Sequence, residues 1–296
     1  AMPKKLVLIP IYLFHHEGCR SIISYLRSKS MDATSVYFGE LFQDAVTPAE
    51  ENYGRLFDLL RELKPDVVGL SFFCTQRNVA KRIGDYCRRE LKTLGVAGGV
   101  HATVSPVDTL EFADLVIRGD GEIALERLLT QDSLTPDVFP LVPGAVYRNA
   151  DGSAAYGPQG MFPDINTLPF PDLDDDAYFI SRGQVRRGWD RESKEEINLF
   201  AARGCPYSCT YCSNSNLNKI EGRPCVRIKN ADYLLAELRH LRKSYPRARR
   251  LVFEDEMLLA NRKILAEVLR GYPEAAGLPF GCLFHPNNLD GEVLEQ

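Results

Sequence analysis

An α/β protein is predicted, with a doubly wound parallel sheet in the amino-terminal half and the first part of a (β/α) partial barrel after it. Short, continuously apolar runs alternate with amphipathic stretches over the first 130 residues, the pattern of parallel strands buried on both faces by helices. The alternation resumes after residue 196, interrupted at once by a cysteine-rich turn. At 296 residues, with 45% hydrophobic and 26% charged side chains, the chain is long enough to fill a core in each half.

In chain order, residues 6–9 (LVLI) form a first buried strand, 18–27 a helix and 33–38 a second strand. Leu56, Leu59, Leu60 and Leu63 recur at i, i+3, i+4 and i+7, one face of a helix that Pro65 ends. Residues 67–71 make a third strand, 78–89 a helix, 94–97 a fourth strand, 115–117 a fifth and 122–129 a further helix. Right-handed crossovers between such strands favour a doubly wound sheet, whose ligand site lies beyond the carboxyl ends of the strands. The loops at those ends hold His15, His16 and Gly18, then Ser71 to Gln76, then Gly98, Gly99 and His101, then Gly119 to Glu122. Paired glycines let a backbone come close to a bulky ligand, so Gly18, Ser71, Gly98, Gly99, His101 and Gly121 are the candidate pocket residues. No GxGxxG follows the first strand and no GxxxxGK[ST] occurs, which removes most of the case for nicotinamide or nucleoside triphosphate.

Residues 136–195 have a different texture, with Pro136, Pro140, Pro143, Pro158, Pro163, Pro169 and Pro171 punctuating a connector. Within it Asp151-Gly152 is a hairpin turn after a strand at 145–148. The acidic run 172–176 reads as a turn rather than a metal site, and 182–191 as a polar surface segment in which Trp189 meets either a cofactor or the core.

A strand beginning at Ile197 leads into Cys205, Cys209 and Cys212, a CxxxCxxC triplet. Three thiols within eight residues are soft metal ligands. A structural zinc site wants four closed ligands, and only Cys225 follows nearby as an unpaired fourth. Three cysteines suit a 4Fe-4S cluster better, leaving one iron open to a small molecule. Downstream, Leu234, Leu238 and Leu241 mark a helix, 251–253 a strand, Ile264, Leu265, Val268 and Leu269 a helix, and 280–284 a third strand. In a barrel of parallel strands the chemistry sits at their carboxyl ends, where the cysteines, then Glu254, Asp255 and Glu256, then His285, all fall.

At these residues the chain resembles a known family. CxxxCxxC with Tyr211 before the last cysteine looks like the cluster loop of radical SAM enzymes, and VVGLSFF, GGVHATVSP, DLVIRGDGE and FPDINTLPFPDLD resemble, in order, the cobalamin-binding domain that precedes many such barrels. The likeness covers nearly the whole chain. It implies that Cys205, Cys209 and Cys212 hold the cluster. The open iron then chelates the methionine end of S-adenosylmethionine, an electron breaks the sulfonium, and a 5′-deoxyadenosyl radical results. It implies that the acidic turn, Glu256 first, then Asp255 and Glu254, meets the amino group of S-adenosylmethionine by a charge-assisted hydrogen bond. It also implies cobalamin in the first domain. The DxHxxG motif of such domains is half present: His15 and Gly18 keep its spacing, but Leu13 replaces the Asp that would orient a cobalt-ligating histidine.

The expectation is thus a cobalamin-dependent radical SAM enzyme methylating an unactivated carbon of a small-molecule or natural-product substrate, fed electrons by a reductant such as flavodoxin or ferredoxin. Alternatives in the same family are a cyclase or rearrangement enzyme, or a tRNA-modifying methylthiotransferase, whose best support is the basic run 239–250 with six Arg and Lys residues. A cobalamin or metal sensor is the non-enzymatic alternative. Net charge of −4 gives no general attraction to nucleic acid or anionic lipid, and the basic run reads as a solvated helix end. No apolar run approaches a membrane span and no signal peptide is evident. The other cysteines, Cys19, Cys74, Cys87, Cys225 and Cys282, are scattered rather than paired. A reducing, cytoplasmic setting is therefore expected. Expected domains are 1–135, 136–195 and 196–296. The last falls well short of the roughly 200 residues a closed barrel takes. An amino-terminal portion of a longer protein is the expectation, with Ala1 an added residue before Met2.

Overall fold

The computed structural model describes residues 4–11, 16–39, 48–221, 226–258 and 261–285. The chain divides into two compact units, one built from residues up to Pro163 with Pro169–Trp189, the other from Asp164–Leu168 and from Asp190 onward.

In the first unit β1 (Lys5–Pro10), α1 (Glu17–Ser28), β2 (Asp32–Phe38), α2 (Glu50–Leu63), β3 (Val67–Ser71), α3 (Arg77–Tyr86), β4 (Leu94–Gly98), α4 (Gly99–Val104), α5 (Pro106–Thr109), β5 (Leu115–Ile117) and α6 (Glu122–Leu129) follow in turn. The five strands are fully buried over most of their length, and helices cover the sheet on both faces. One core layer holds Val7, Ile9, Phe38, Leu56, Leu60, Val68 and Ile83; the other holds Leu6, Leu8, Ile23, Leu26, Leu115 and Leu128. Neighbours along each strand thus fall in opposite layers, as the period of two requires. Strand order is β5-β4-β3-β1-β2, all parallel.

The residues expected as a connector extend this sheet at both edges. β6 (Ala145–Arg148) and β7 (Ala154–Tyr156) form an antiparallel hairpin on β5. β8 (Tyr178–Ser181) pairs parallel to β2, and β9 (Gln184–Arg187) returns antiparallel, completing nine strands. The segment leading into β8 is fastened to one face of α1. Ser24 Oγ donates to the Phe170 carbonyl at 2.6 Å, Arg27 to Asp172 at 2.7 Å, and Arg20 Nε to Asp174 at 2.5 Å. Positions 20, 24 and 27 share a helix face by spacing. Asp174 is buried, and its other oxygen accepts the Tyr37 hydroxyl at 2.8 Å. The acidic run is accordingly a buried tie. Trp189 lies against Phe179, 5.2 Å between ring centroids, and covers core.

The second unit contains β10 (Glu196–Leu199), β11 (Ala202–Arg203), α7 (Ser213–Glu221), β12 (Arg227–Ile228), α8 (Ala231–Ser244), β13 (Arg250–Phe253), α9 (Arg262–Ala275) and β14 (Phe280–Gly281). β10, β13 and β14 are parallel neighbours in that order, with α8 and α9 as crossovers, the opening units of a (β/α) barrel. Asn230 and Asn261 cap the two helices by accepting first-turn N–H groups. β11 and β12 form a small antiparallel pair, anchored by the buried ion pair of Lys229 and Glu237 at 2.8 Å.

Arg20 and Asp174 are both withdrawn from water, so removing one leaves the other uncompensated. Asp174→Ala is expected to cost about 3–5 kcal/mol. The change would be read as a lower urea midpoint at unchanged slope. Tyr37→Phe, losing one hydrogen bond, should cost about 1 kcal/mol by the same measurement.

Candidate functional sites: the sheet switch point and the cysteine loop

Strand order reverses between β1 and β3, so the crossovers that follow them depart to opposite sides and leave a crevice at their carboxyl ends. Ser71 closes β3 at that point. Its carbonyl accepts the Ile11 N–H at 3.1 Å, and its hydroxyl lies 3.1 Å from Nε2 of His16, the residue before α1. Burial, with Arg20 adding to it, lowers the His16 imidazole to about 4, so the ring is neutral near pH 7. The Cys19 thiol below it also bonds to Ser71 and is pushed by burial to about 12.

The other expected residues of this half distribute unevenly. His15 lies outside the described residues. Gly18 is exposed, and Gly98 makes only ordinary contacts, so both leave the rim open. Gly99 adopts φ +85°, and a methyl there would stand 2.9 Å from Ser71 Oγ and 3.1 Å from Phe72 N. At Gly121 a methyl would meet Ile22 at 2.7 Å. Glycine at these two positions answers to packing inside the domain. His101 is buried with both ring nitrogens engaged, Nδ1 by Cys74 at 3.2 Å and Nε2 by Asp108 at 3.0 Å. A neutral imidazole and a hydroxyl thus meet at the reversal, with Gly18 and Gly98 leaving the rim open beside them.

In the second unit the approach to the cysteines is set by Asp255. Its buried carboxylate accepts the N–H groups of Ala201 at 2.8 Å and Ala202 at 2.6 Å, fixing the bend between β10 and β11. Gly204 then turns the chain with φ +83°. Cys212 N–H donates to the Cys209 carbonyl at 3.1 Å, and Asn218 of α7 donates to the Cys205 carbonyl at 3.1 Å. Cys205 and Cys212 are half-buried, Cys209 is exposed, and all three are free thiols. Tyr211 is 92% exposed. Among the described residues no three His, Cys, Asp or Glu side chains are gathered closely enough to hold a metal ion. All three thiols nevertheless lie on one loop, in CxxxCxxC spacing.

Of the acidic turn, Asp255 is committed to the backbone, whereas Glu254 and Glu256 are exposed. Asn198 donates to Glu254 at 2.9 Å; partial loss of solvent around the carboxyl, with Glu196 nearby, raises it. Asn214 of α7 donates to Glu256 at 3.1 Å. His285 stacks on Tyr207 of the cysteine loop, 4.0 Å between centroids. Sequence reasoning did not find the His16–Ser71 contact, the asparagine ties of α7 or the engagement of His101. Each joins residues far apart in the chain or depends on burial.

Residues 6–129 match the B12 binding domain family. The chain is 34% identical over 173 residues to the cobalamin-dependent radical SAM methyltransferase TokK of Streptomyces tokunonensis, covering 54% of this chain and 24% of that protein. It is 29% identical over 155 residues to a 2-(S-pantetheinyl)-carbapenam-3-carboxylate methyltransferase of Streptantibioticus cattleyicolor, covering 50% and 22%. The chain therefore spans about a quarter of these curated relatives. In fold it is similar to the cobalamin-dependent S-adenosylmethionine radical enzyme OxsB, with a TM-score of 0.71 at 18% identity over 99% of this chain and 41% of that one. No helix among the described residues is long and apolar enough to cross a membrane.

Two outcomes follow from the local chemistry. Asp255→Ala leaves two buried N–H groups unsatisfied and should lower stability by about 1–3 kcal/mol, read as an earlier thermal transition. The Arg77 guanidinium holds the Asp108 carboxyl at about 2, so its contribution is complete above the ordinary value of 3.8 and is lost as pH falls through about 2. An acid titration of stability should lose part of its slope in that window when Asp108 is replaced by Asn.

Proposed function

We propose that this chain is part of a cobalamin-dependent radical SAM C-methyltransferase, a reading supported by the match of residues 6–129 to the B12 binding domain family and by the similarity to TokK. The observation that carries the reading is a CxxxCxxC loop of free thiols after the first parallel strand of one unit, in a chain whose other unit matches a B12-binding domain. Cys205, Cys209 and Cys212 would hold a 4Fe-4S cluster. Its vacant iron corner, with S-adenosylmethionine and methylcobalamin, would supply hydrogen-atom abstraction and methyl delivery to an unactivated carbon.

The chain's own residues prepare these steps. Asp255 and Asn218 hold the loop backbone so that the thiols need not pay the full ordering entropy when a cluster forms. Glu256, exposed and steered by Asn214, would receive an ammonium group. At the switch point the neutral His16 and the Ser71 hydroxyl would meet a corrin or its nucleotide tail, with Gly18 and Gly98 leaving room. A small-molecule substrate accords with the named relatives, and a flavodoxin or ferredoxin would serve as electron donor.

Anaerobic reconstitution of this chain with iron, sulfide and cobalamin tests the reading. About four irons per chain and corrin absorption are expected, and replacing the three cysteines by Ala should abolish the iron but not the corrin. Two irons or fewer in the native chain, or iron retained in the triple variant, would refute the cluster assignment. With the full-length protein, a product heavier by one CH2 supports methylation; S-adenosylmethionine consumed without that gain points to cyclisation or rearrangement.

A further inference from the structure

The turn after β3 and the segment joining α4 to α5 bring together a cysteine, a histidine and an aspartate that the cofactor reading does not use. Cys74 Sγ lies 3.2 Å from His101 Nδ1, and the opposite ring nitrogen lies 3.0 Å from Asp108 Oδ2. A carboxylate only accepts, so Nε2 carries the hydrogen and Nδ1 turns its lone pair toward the thiol. Asp108 is itself fixed by the fork of Arg77, through Nε to Oδ2 at 2.6 Å and a terminal nitrogen to Oδ1 at 2.7 Å. The ring has no freedom to swing away. It is buried and tilted against Phe72, 5.3 Å between centroids, and its peptide N–H reaches the Phe72 carbonyl at 3.3 Å.

Cys74, in contrast, is exposed. Its turn is set by Gln76, whose side-chain oxygen accepts the Phe73 N–H at 2.8 Å. An accessible thiol against an imidazole that a carboxylate orients is the arrangement that yields a nucleophilic sulfur. Cys19 and Cys87 lack it: burial raises both thiols to about 12.

We propose that Cys74 is a nucleophilic modification site that takes small disulfides by thiol–disulfide exchange, with His101 as its base and Asp108 as the positioning residue. His101 Nδ1 accepts the thiol proton, and the Cys74 sulfur attacks one sulfur of the disulfide. The disulfide S–S bond breaks as the new one forms. The departing thiolate takes the proton from His101. Cys74 is oxidised to a mixed disulfide and half of the small disulfide is reduced to a thiol, so the exchange balances without another reagent.

The test is the rate of adduct formation at Cys74 with glutathione disulfide, followed by peptide mass mapping of the 296-residue chain. An unstructured peptide of residues 69–79 is the reference. Reaction in the folded chain is expected to be about tenfold faster than in the peptide. Cys74→Ser should take no adduct there, and His101→Gln and Asp108→Asn should fall toward the peptide rate. Asp108→Glu, which keeps a carboxylate, should retain more of the rate than Asp108→Asn. If His101→Gln loosens the fold, adducts at Cys19 and Cys87 will reveal it, and the Asp108 pair decides. A native rate no faster than the peptide's, or one indifferent to Asp108→Asn, would overturn the proposal.

Discussion

Parallel strands joined by right-handed crossovers must place their helices on one face or the other, and the direction in which the chain leaves β1 and β3 makes the two crossovers part. The crevice at Ser71 and His16 is a consequence of that parting. No residue choice creates it, and residue choice only furnishes it. The chain furnishes it with a hydroxyl and an imidazole kept uncharged by burial, because Arg20 and the apolar interior both oppose a second positive charge there. Arg20 thereby has two roles: it discourages protonation of His16 and anchors Asp174, so a single side chain joins the rim of the crevice to the tie on α1.

The second unit uses an acidic side chain in a comparable structural way. In an open set of parallel strands nothing in the ladder itself fixes the loop after β10. Asp255, at the end of the adjacent β13, reaches across and takes the two N–H groups that would otherwise be orphaned at the bend. The thiol loop is thus tied to the neighbouring strand before any metal is considered. α7 completes the support through Asn214 and Asn218, one directed at the acidic turn and one at the loop backbone.

Much of this was legible in the residues. The strands Val67–Ser71 and Leu115–Ile117, helix Glu122–Leu129 and strand Ala145–Arg148 stand where apolar runs and turn signals place them. A strand buried on both faces has only one compositional solution. The hairpin of β8 and β9 was not legible, because Gln184–Arg187 is exposed throughout and carries no alternation to read. Its turn is made by Arg182 and Gly183 at φ 50° and 69°, of which only the glycine hints at such a conformation. The three cysteines fall on one loop between β11 and α7, a nearness that their spacing in the chain dictates. Among Glu254, Asp255 and Glu256 the sequence gives no way to tell the carboxylate that braces the backbone from those left outside, since that depends on burial. The Cys74, His101 and Asp108 contacts were equally hidden, as they join the end of β3 to the helices after β4.

The outermost strand has a bearing on how this chain behaves in company. Among the described residues no further strand pairs with the outer side of β9, the kind of border onto which another polypeptide can zip. Arg186 and Arg187 follow one another along it on opposite faces, and Arg187 meets Asp176 in an exposed contact at 3.0 Å. A second copy docking border to border would crowd guanidinium groups together. Charge repulsion at that margin is thus a built-in deterrent to runaway self-association.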